Sequence, residues 1–170
     1  KTELAGRKRR KNVHSFDDLL LHLLTALQGK GGEELARAVR GRFRATLVDE
    51  FQDTDPVQYA IFRSIFSQGK GLLFLIGDPK QAIYGFRGAD VFAYMEAARD
   101  VQTRFTLREN WRSEPGLITA VNTLFENRPR PFVYREIRFH PSVPARARDP
   151  EVLTMDGQPE APLRLWLLEG

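Results

Sequence analysis

The chain has 170 residues, room for one ordinary domain or parts of two. Hydrophobic residues make up 42% of it, which excludes a disordered chain, and the longest apolar run, residues 72–76, is far too short to cross a bilayer. Without a single cysteine it can form neither disulfides nor thiolate metal sites, and its net charge of +4 suits a polyanionic partner, although composition alone favours a basic surface kept for solubility.

The first feature in chain order is the basic run Lys8-Arg9-Arg10-Lys11. Polar residues follow it rather than an apolar stretch, so it is no signal peptide and reads as a solvated charge run. Together with the missing cysteines this makes cytoplasm the expected location, with no membrane partner. Ser15 is placed to cap a helix whose first turn holds Asp17 and Asp18, and Phe16, Leu19, Leu20, Leu23, Leu24 and Leu27 follow at helical spacing. Glycines at 29–32 end it, and a second helix over about 33–42 is expected to bury Leu35 and Val39. Residues 45–48 read as a short buried strand ending at Asp49-Glu50.

Asp55-Pro56 opens the next helix, since proline suits the first helical position, and an apolar stripe runs from Val57 to Phe66. Residues 71–77 read as a second strand, apolar on both faces as buried parallel strands are. Asp78 lies just past its end. A helix over about 90–99 follows, then a third strand at 104–107 and a helix capped by Ser113 that carries Leu117, Ile118, Val121, Leu124 and Phe125. From Arg128 the texture turns to prolines, arginines and isolated apolar pairs, with a last strand expected at 163–168. Alternating strands and helices predict an α/β fold with a parallel sheet, in which ligands sit beyond the carboxyl ends of strands. The polar clusters of interest all follow a strand.

An apolar strand ending in Asp-Glu can serve a nucleoside triphosphatase. One carboxylate holds hydrated magnesium, usually through water, and the next orients and deprotonates the attacking water. As a bare dipeptide it is as often a solvated turn. Gln28-Gly29-Lys30-Gly31-Gly32 lacks the spacing and the following Ser/Thr of a phosphate loop, and it lies between helices. His14, His22 and His140 have no metal-ligand spacing.

The full stretch Asp49-Glu50-Phe51-Gln52-Asp53-Thr54-Asp55 resembles the second motif of superfamily 1 DNA helicases of the UvrD/Rep type. Residues 77–90 resemble the third motif and Asn110-Trp111-Arg112-Ser113 the fourth, in the family's order. Ser15-Phe16-Asp17-Asp18-Leu19-Leu20, the continuation 53–59, the segment 110–116 and Phe132-Val133-Tyr134-Arg135-Glu136-Ile137 resemble the RecB branch of that family. That branch comprises the beta subunits of exodeoxyribonuclease V, helicase-nucleases that process double-strand breaks for recombination. A plain UvrD-like helicase, an AddA-type subunit and a non-catalytic DNA-binding module are the alternatives.

The resemblance implies a RecA-like motor domain over 1–103, in part, and the start of a second over 104–170. It implies ATP and Mg2+ as cofactors, with Asp49 at the magnesium and Glu50 activating water. Gln81 would contact the terminal phosphate, Arg112 would reach it from the second motor domain, and Trp111 would lie on the adenine. Tyr84, Phe86 and Arg87 match positions that meet single-stranded DNA. Implied partners are DNA, as single strands and duplex ends, and RecC- and RecD-like subunits. No G-x-x-x-x-G-K-[ST] loop occurs in the sequence. The expectation is therefore a piece running from the second to the fourth motif, inactive alone and prone to self-association through open strand edges.

Overall fold

The computed structural model describes residues 2–66, 71–83, 85, 90–145 and 154–168. It divides into two compact units, Lys1–Val101 and Gln102–Gly170.

The first unit opens with α1 (Thr2–Lys11), a helix that the polar composition of this stretch did not predict. Its Lys8 is not merely solvated. The ammonium donates to Asp18 at 2.6 Å and to Ser15 Oγ at 3.3 Å. Ser15 and Asp18 form a reciprocal capping box at the start of α2 (Phe16–Gln28), as the sequence predicts for Ser15. The Lys8 hydrogen bond, followed by those from Ser15, holds the Asp18 carboxyl well below the usual carboxylate range.

Only part of the expected α2 stripe faces inward. Leu20, Leu24 and Leu27 pack on the core, whereas Phe16, Leu19 and Leu23 are exposed. α3 (Gly32–Arg42) buries Ala36 most deeply, with Leu35 and Val39 half-buried against the same cluster. The α2–α3 corner is so tight that a Cβ on Gly32 would lie 1.8 Å from the Leu27 carbonyl oxygen. α4 (Pro56–Phe66) completes this core with Ile61, Ile65 and Phe66. Arg40 ties α3 to it, donating to the Ile65 carbonyl at 2.6 Å and to Glu33 at 2.7 Å, so that one orphan carbonyl of the α4 terminus is satisfied.

β1 (Ala45–Val48) and β2 (Leu72–Leu75) pair in parallel, with Val48 opposite Leu75. The expectation that both faces are buried is not met. Val48, Leu73 and Leu75 pack inward, while Leu47, Leu72 and Phe74 are 66%, 59% and 50% exposed. Helices cover one face of this two-stranded sheet, and among the described residues nothing covers the other. α5 (Val91–Asp100) begins at the capping carboxylate of Asp90, which accepts from Phe92 N–H at 2.8 Å. Ala93, Met95 and Ala97 are the residues through which α5 is buried. A second cluster of Phe51, Tyr59 and Ala97 joins α4, α5 and the strand ends. Tyr59 donates from its hydroxyl to Asp100 at 3.0 Å, and burial, then that carboxylate, pushes its pKa up to about 12.

In the second unit the expected strand at 104–107 does not form. Phe105 and Leu107 are each 91% exposed and have no pairing partner. The strand lies slightly later, at β3 (Glu109–Asn110), paired in parallel with β4 (Val143–Pro144). α6 (Pro115–Glu126) is capped by Glu114 rather than Ser113, its carboxylate accepting from Gly116 and Leu117 N–H at 2.8 and 2.9 Å. Ile118 is buried, Phe125 stacks with Phe132 and Phe139, and Asn122 pairs through its amide with the Ser142 backbone. Val121 and Leu124 stay exposed, correcting the wider stripe. Beyond it, β5 (Thr154–Met155) and β6 (Gln158–Pro159) form a hairpin turning at Asp156-Gly157, both at positive φ. The last strand expected at 163–168 is absent, and Leu165 to Leu168 are exposed. Among the described residues no helix is long and apolar enough to cross a membrane.

Gly32→Ala is expected to lower stability by about 1–3 kcal/mol, since the added methyl must push the Leu27 carbonyl aside in a packed corner. Thermal denaturation of the two forms checks this.

Candidate functional site

The site is built where β1 and β2 end level with one another. Ile76 N–H donates to the Val48 carbonyl and Phe51 N–H to the Ile76 carbonyl, both at 2.8 Å. These bonds extend the ladder past the strands and then swing the first chain across the end of the second. Asp49 leaves β1 exposed to solvent, one carboxylate oxygen accepting from Glu50 N–H at 3.0 Å. Glu50 takes a left-handed conformation, φ 49° and ψ 41°. For a residue with a Cβ that geometry costs about 1–3 kcal/mol and persists only where the surroundings impose it. Here they do. Phe51, 2% exposed, is locked between Tyr59 and Tyr94 in the second core cluster, and it starts a 3₁₀ turn, Phe51–Asp53.

Gln52, also 2% exposed, spans the two strand ends. Its Nε2 donates to Glu50 Oε2 at 2.7 Å and its Oε1 accepts from Asp78 N–H at 3.0 Å. A Cβ on Gly77 would come within 2.6 Å of that Oε1, so only glycine allows the contact. Beside it Asp53 donates its N–H to the Glu50 carbonyl at 2.9 Å, while its buried Oδ1 accepts no hydrogen bond from the described residues.

Asp78 opens a second 3₁₀ turn, Pro79–Gln81. Its Oδ1 accepts from Lys80 N–H at 3.0 Å and from the Lys80 ammonium at 2.6 Å, and its Oδ2 from Gln81 Nε2 at 3.3 Å. Partial burial pushes the Asp78 carboxyl up, but the hydrogen bonds from Lys80 and Gln81 and the lysine charge outweigh it and leave the pKa lowered. Gln81 is exposed apart from this bond to Asp78. Within the first unit, hydrogen bonds through Gln52 and Asp78 thus link Glu50, which follows Asp49, to Gln81.

Trp111 and Arg112 belong to the second unit. The turn after β3 is made by Asn110, whose Oδ1 accepts from Arg112 and Ser113 N–H, both at 2.9 Å. That turn leaves Trp111 67% exposed with Arg112 exposed beside it. Tyr84, Phe86 and Arg87 lie outside the described residues. Sequence reasoning gave no role to Gln52, Gly77, Asp78 or Asn110, although each stood inside a quoted motif. Nothing local singles out Gln52, because the backbone N–H it accepts from, that of Asp78, lies 26 residues along the chain.

The donor set fits magnesium of the weakly held kind. Among the described residues no three acidic or histidine side chains gather into a cage. Asp49 instead offers an exposed carboxylate at a strand end, which suits an ion that keeps most of its water and shares phosphate oxygens.

Residues 2–102 match the family model of the UvrD/REP helicase N-terminal domain. The chain is 47% identical over 168 residues to the RecBCD enzyme subunit RecB of Escherichia coli K12, an overlap covering 98% of this chain and 14% of that protein. It is 44% identical over 161 residues to RecB of Haemophilus influenzae, covering 92% of this chain and 13% of the relative. With RecB of Mycobacterium tuberculosis H37Rv it shares 46% identity over 125 residues, 74% of this chain and 11% of the relative. The chain therefore spans about a seventh of the length of the curated relatives it matches, at 14% and 13% for the first two.

The lowered Asp78 pKa carries a pH signature. The folded state binds this proton less readily than the unfolded state, so the stabilisation is present above the unfolded pKa and is lost as pH falls through the folded one. Melting temperatures followed from about pH 5 to about pH 2 are expected to fall more steeply for the parent chain than for Asp78→Asn.

Proposed function

The chain belongs to the UvrD/REP helicase family, and we propose that it supplies one wall of the ATP-hydrolysis site of a RecB-like DNA helicase-nuclease subunit acting in double-strand break repair and recombination. The observation that carries this reading is the joined pair of strand ends, where Gln52 ties the Glu50 carboxylate to the Asp78–Gln81 turn at 2.7 and 3.0 Å. A solvated turn has no need of a buried amide or a left-handed glutamate.

In this reading Asp49 would hold magnesium through water, and the bound ion would supply positive charge to the phosphates. Glu50 orients the attacking water and takes its proton, and Gln81 contacts the terminal phosphate once it leaves Asp78 Oδ2. Residues 1–103 are the C-terminal part of the RecA-like motor domain that carries these groups, and residues 104–170 the start of another. From it Trp111 lies on the adenine and Arg112 brings charge to the transition state. Tyr84, Phe86 and Arg87 face single-stranded DNA. DNA, as single strands and duplex ends, and RecC- and RecD-like subunits are the proposed partners, and cytoplasm the proposed location.

The sequence holds no glycine-lysine phosphate loop, so the 170-residue chain by itself is expected to show no DNA-stimulated ATP hydrolysis. In the full-length RecB-like subunit, Glu50→Gln is expected to lower the DNA-stimulated ATPase rate by about 100- to 10,000-fold, the usual contribution of a general base. Hydrolysis by the short chain, abolished by Glu50→Gln, would overturn the proposed division of the site.

The uncovered sheet face of Leu47, Leu72 and Phe74, together with open strand edges, also favours self-association of the short chain. Sedimentation velocity is expected to show weight-average mass rising with concentration. A single monomeric boundary at high concentration contradicts this.

A further inference from the structure

We infer that Gln52 is a positioning residue that aims the Glu50 carboxylate and couples it to the turn carrying Gln81. The inference rests on the function proposed above and adds a residue and a connection to it.

The chemistry of its two neighbours fixes which way the amide points. Asp78 offers a backbone N–H at 3.0 Å and can only be met by the amide oxygen. Glu50 offers a carboxylate oxygen at 2.7 Å and can only be met by the amide nitrogen. Glutamine, with an acceptor and a donor at one tip, satisfies both. Glutamate would keep the first bond and lose the second, and methionine, of similar length, would lose both.

Burial makes the bridge rigid. Gln52 is 2% exposed and packed under the glycine at 77, whose missing side chain leaves the room the amide oxygen occupies. Its backbone is held between Phe51, which is buried, and Asp53, whose N–H is bonded to the Glu50 carbonyl at 2.9 Å. Glu50 itself is exposed, on a left-handed backbone, and its side chain has no other hydrogen bond among the described residues. A flexible, exposed carboxylate that must meet a water molecule at one angle is thus steered from a single buried point. The same amide reads the position of Asp78, whose carboxylate accepts from Gln81 at 3.3 Å. A movement of the Gln81 turn would pass to Glu50 through one side chain.

The test uses the full-length RecB-like subunit with steady-state ATPase measured under saturating single-stranded DNA. Gln52→Glu and Gln52→Met are both expected to lower kcat by about 10- to 100-fold, the effect of misplacing a reacting group by about an ångström. KM for ATP is expected to stay within about twofold, because the residue acts on the transition state rather than on nucleotide binding. Rates are normalised to the fraction of protein that binds nucleotide, so that lost folding does not register as lost turnover. Where Gln52→Glu does not fold because of its added charge, Gln52→Met carries the same test. A normalised kcat within about twofold of the parent, or a loss confined to KM, overturns the inference. Glu50→Gln run in parallel keeps the two claims apart. If it retains full activity, the proposed function fails. If it is silent while the Gln52 variants turn over normally, only the role of Gln52 fails.

Discussion

Val48 stands opposite Leu75 in a parallel pair, and most of what is distinctive about the first unit follows from that register. Parallel strands end on the same side, so the chains leaving β1 and β2 emerge as neighbours. Two further backbone bonds, Ile76 N–H to Val48 and Phe51 N–H to Ile76, carry the contact beyond the sheet. The first chain must then turn sharply, and it does so at Glu50 in a left-handed conformation. Slip the register by one residue and every inward side chain of β1 would face outward, Val48 among them. The acidic pair would then no longer meet the Asp78 turn.

What holds this arrangement is a division of labour between apolar burial and a few polar bonds. Phe51 anchors the turn in a core shared with Tyr59, Tyr94 and Ala97, and so fixes the residues on either side of it. Gln52 is buried in the same place but spends its polar atoms on the strand ends. An unsatisfied amide at that depth would cost about 1–3 kcal/mol, so the two bonds are as much a condition of the fold as a feature of the site. Arg40 plays a comparable part on the other core, closing the end of α4 with one donor and pairing with Glu33 through another.

The second unit solves a smaller version of the same problem. Asn110 ends a short parallel strand and bends the chain with its own side chain, accepting from Arg112 and Ser113. The bend pushes Trp111 and Arg112 outward, where an aromatic face and a guanidinium are available to a ligand. Glu114 then caps α6 and starts the helix that carries Ile118 into the local core. The exposed Trp111 and Arg112 thus stand next to a residue, Asn110, whose side chain shapes the turn.

Much of this was legible in the residues. The limits of β1, the proline start of α4, the Ser15 cap, the Asp90 helix and the parallel pairing follow from spacing, capping chemistry and strand-helix alternation, all of which are local. The motif carrying Asp49, Glu50, Gln81, Trp111 and Arg112 was visible because it lies in short contiguous stretches. The hairpin at Asp156-Gly157 carried a turn signal that went unread among the prolines around it. Tertiary structure decided the rest. Which half of the α2 stripe is buried depends on where α3 and α4 lie, and helical spacing cannot say. Strands at 104–107 and 163–168 failed because a strand needs a neighbour, and apolar composition does not supply one. Above all, Gln52 meets Asp78 from 26 residues away. No local pattern marks a side chain whose partner is brought to it only by folding.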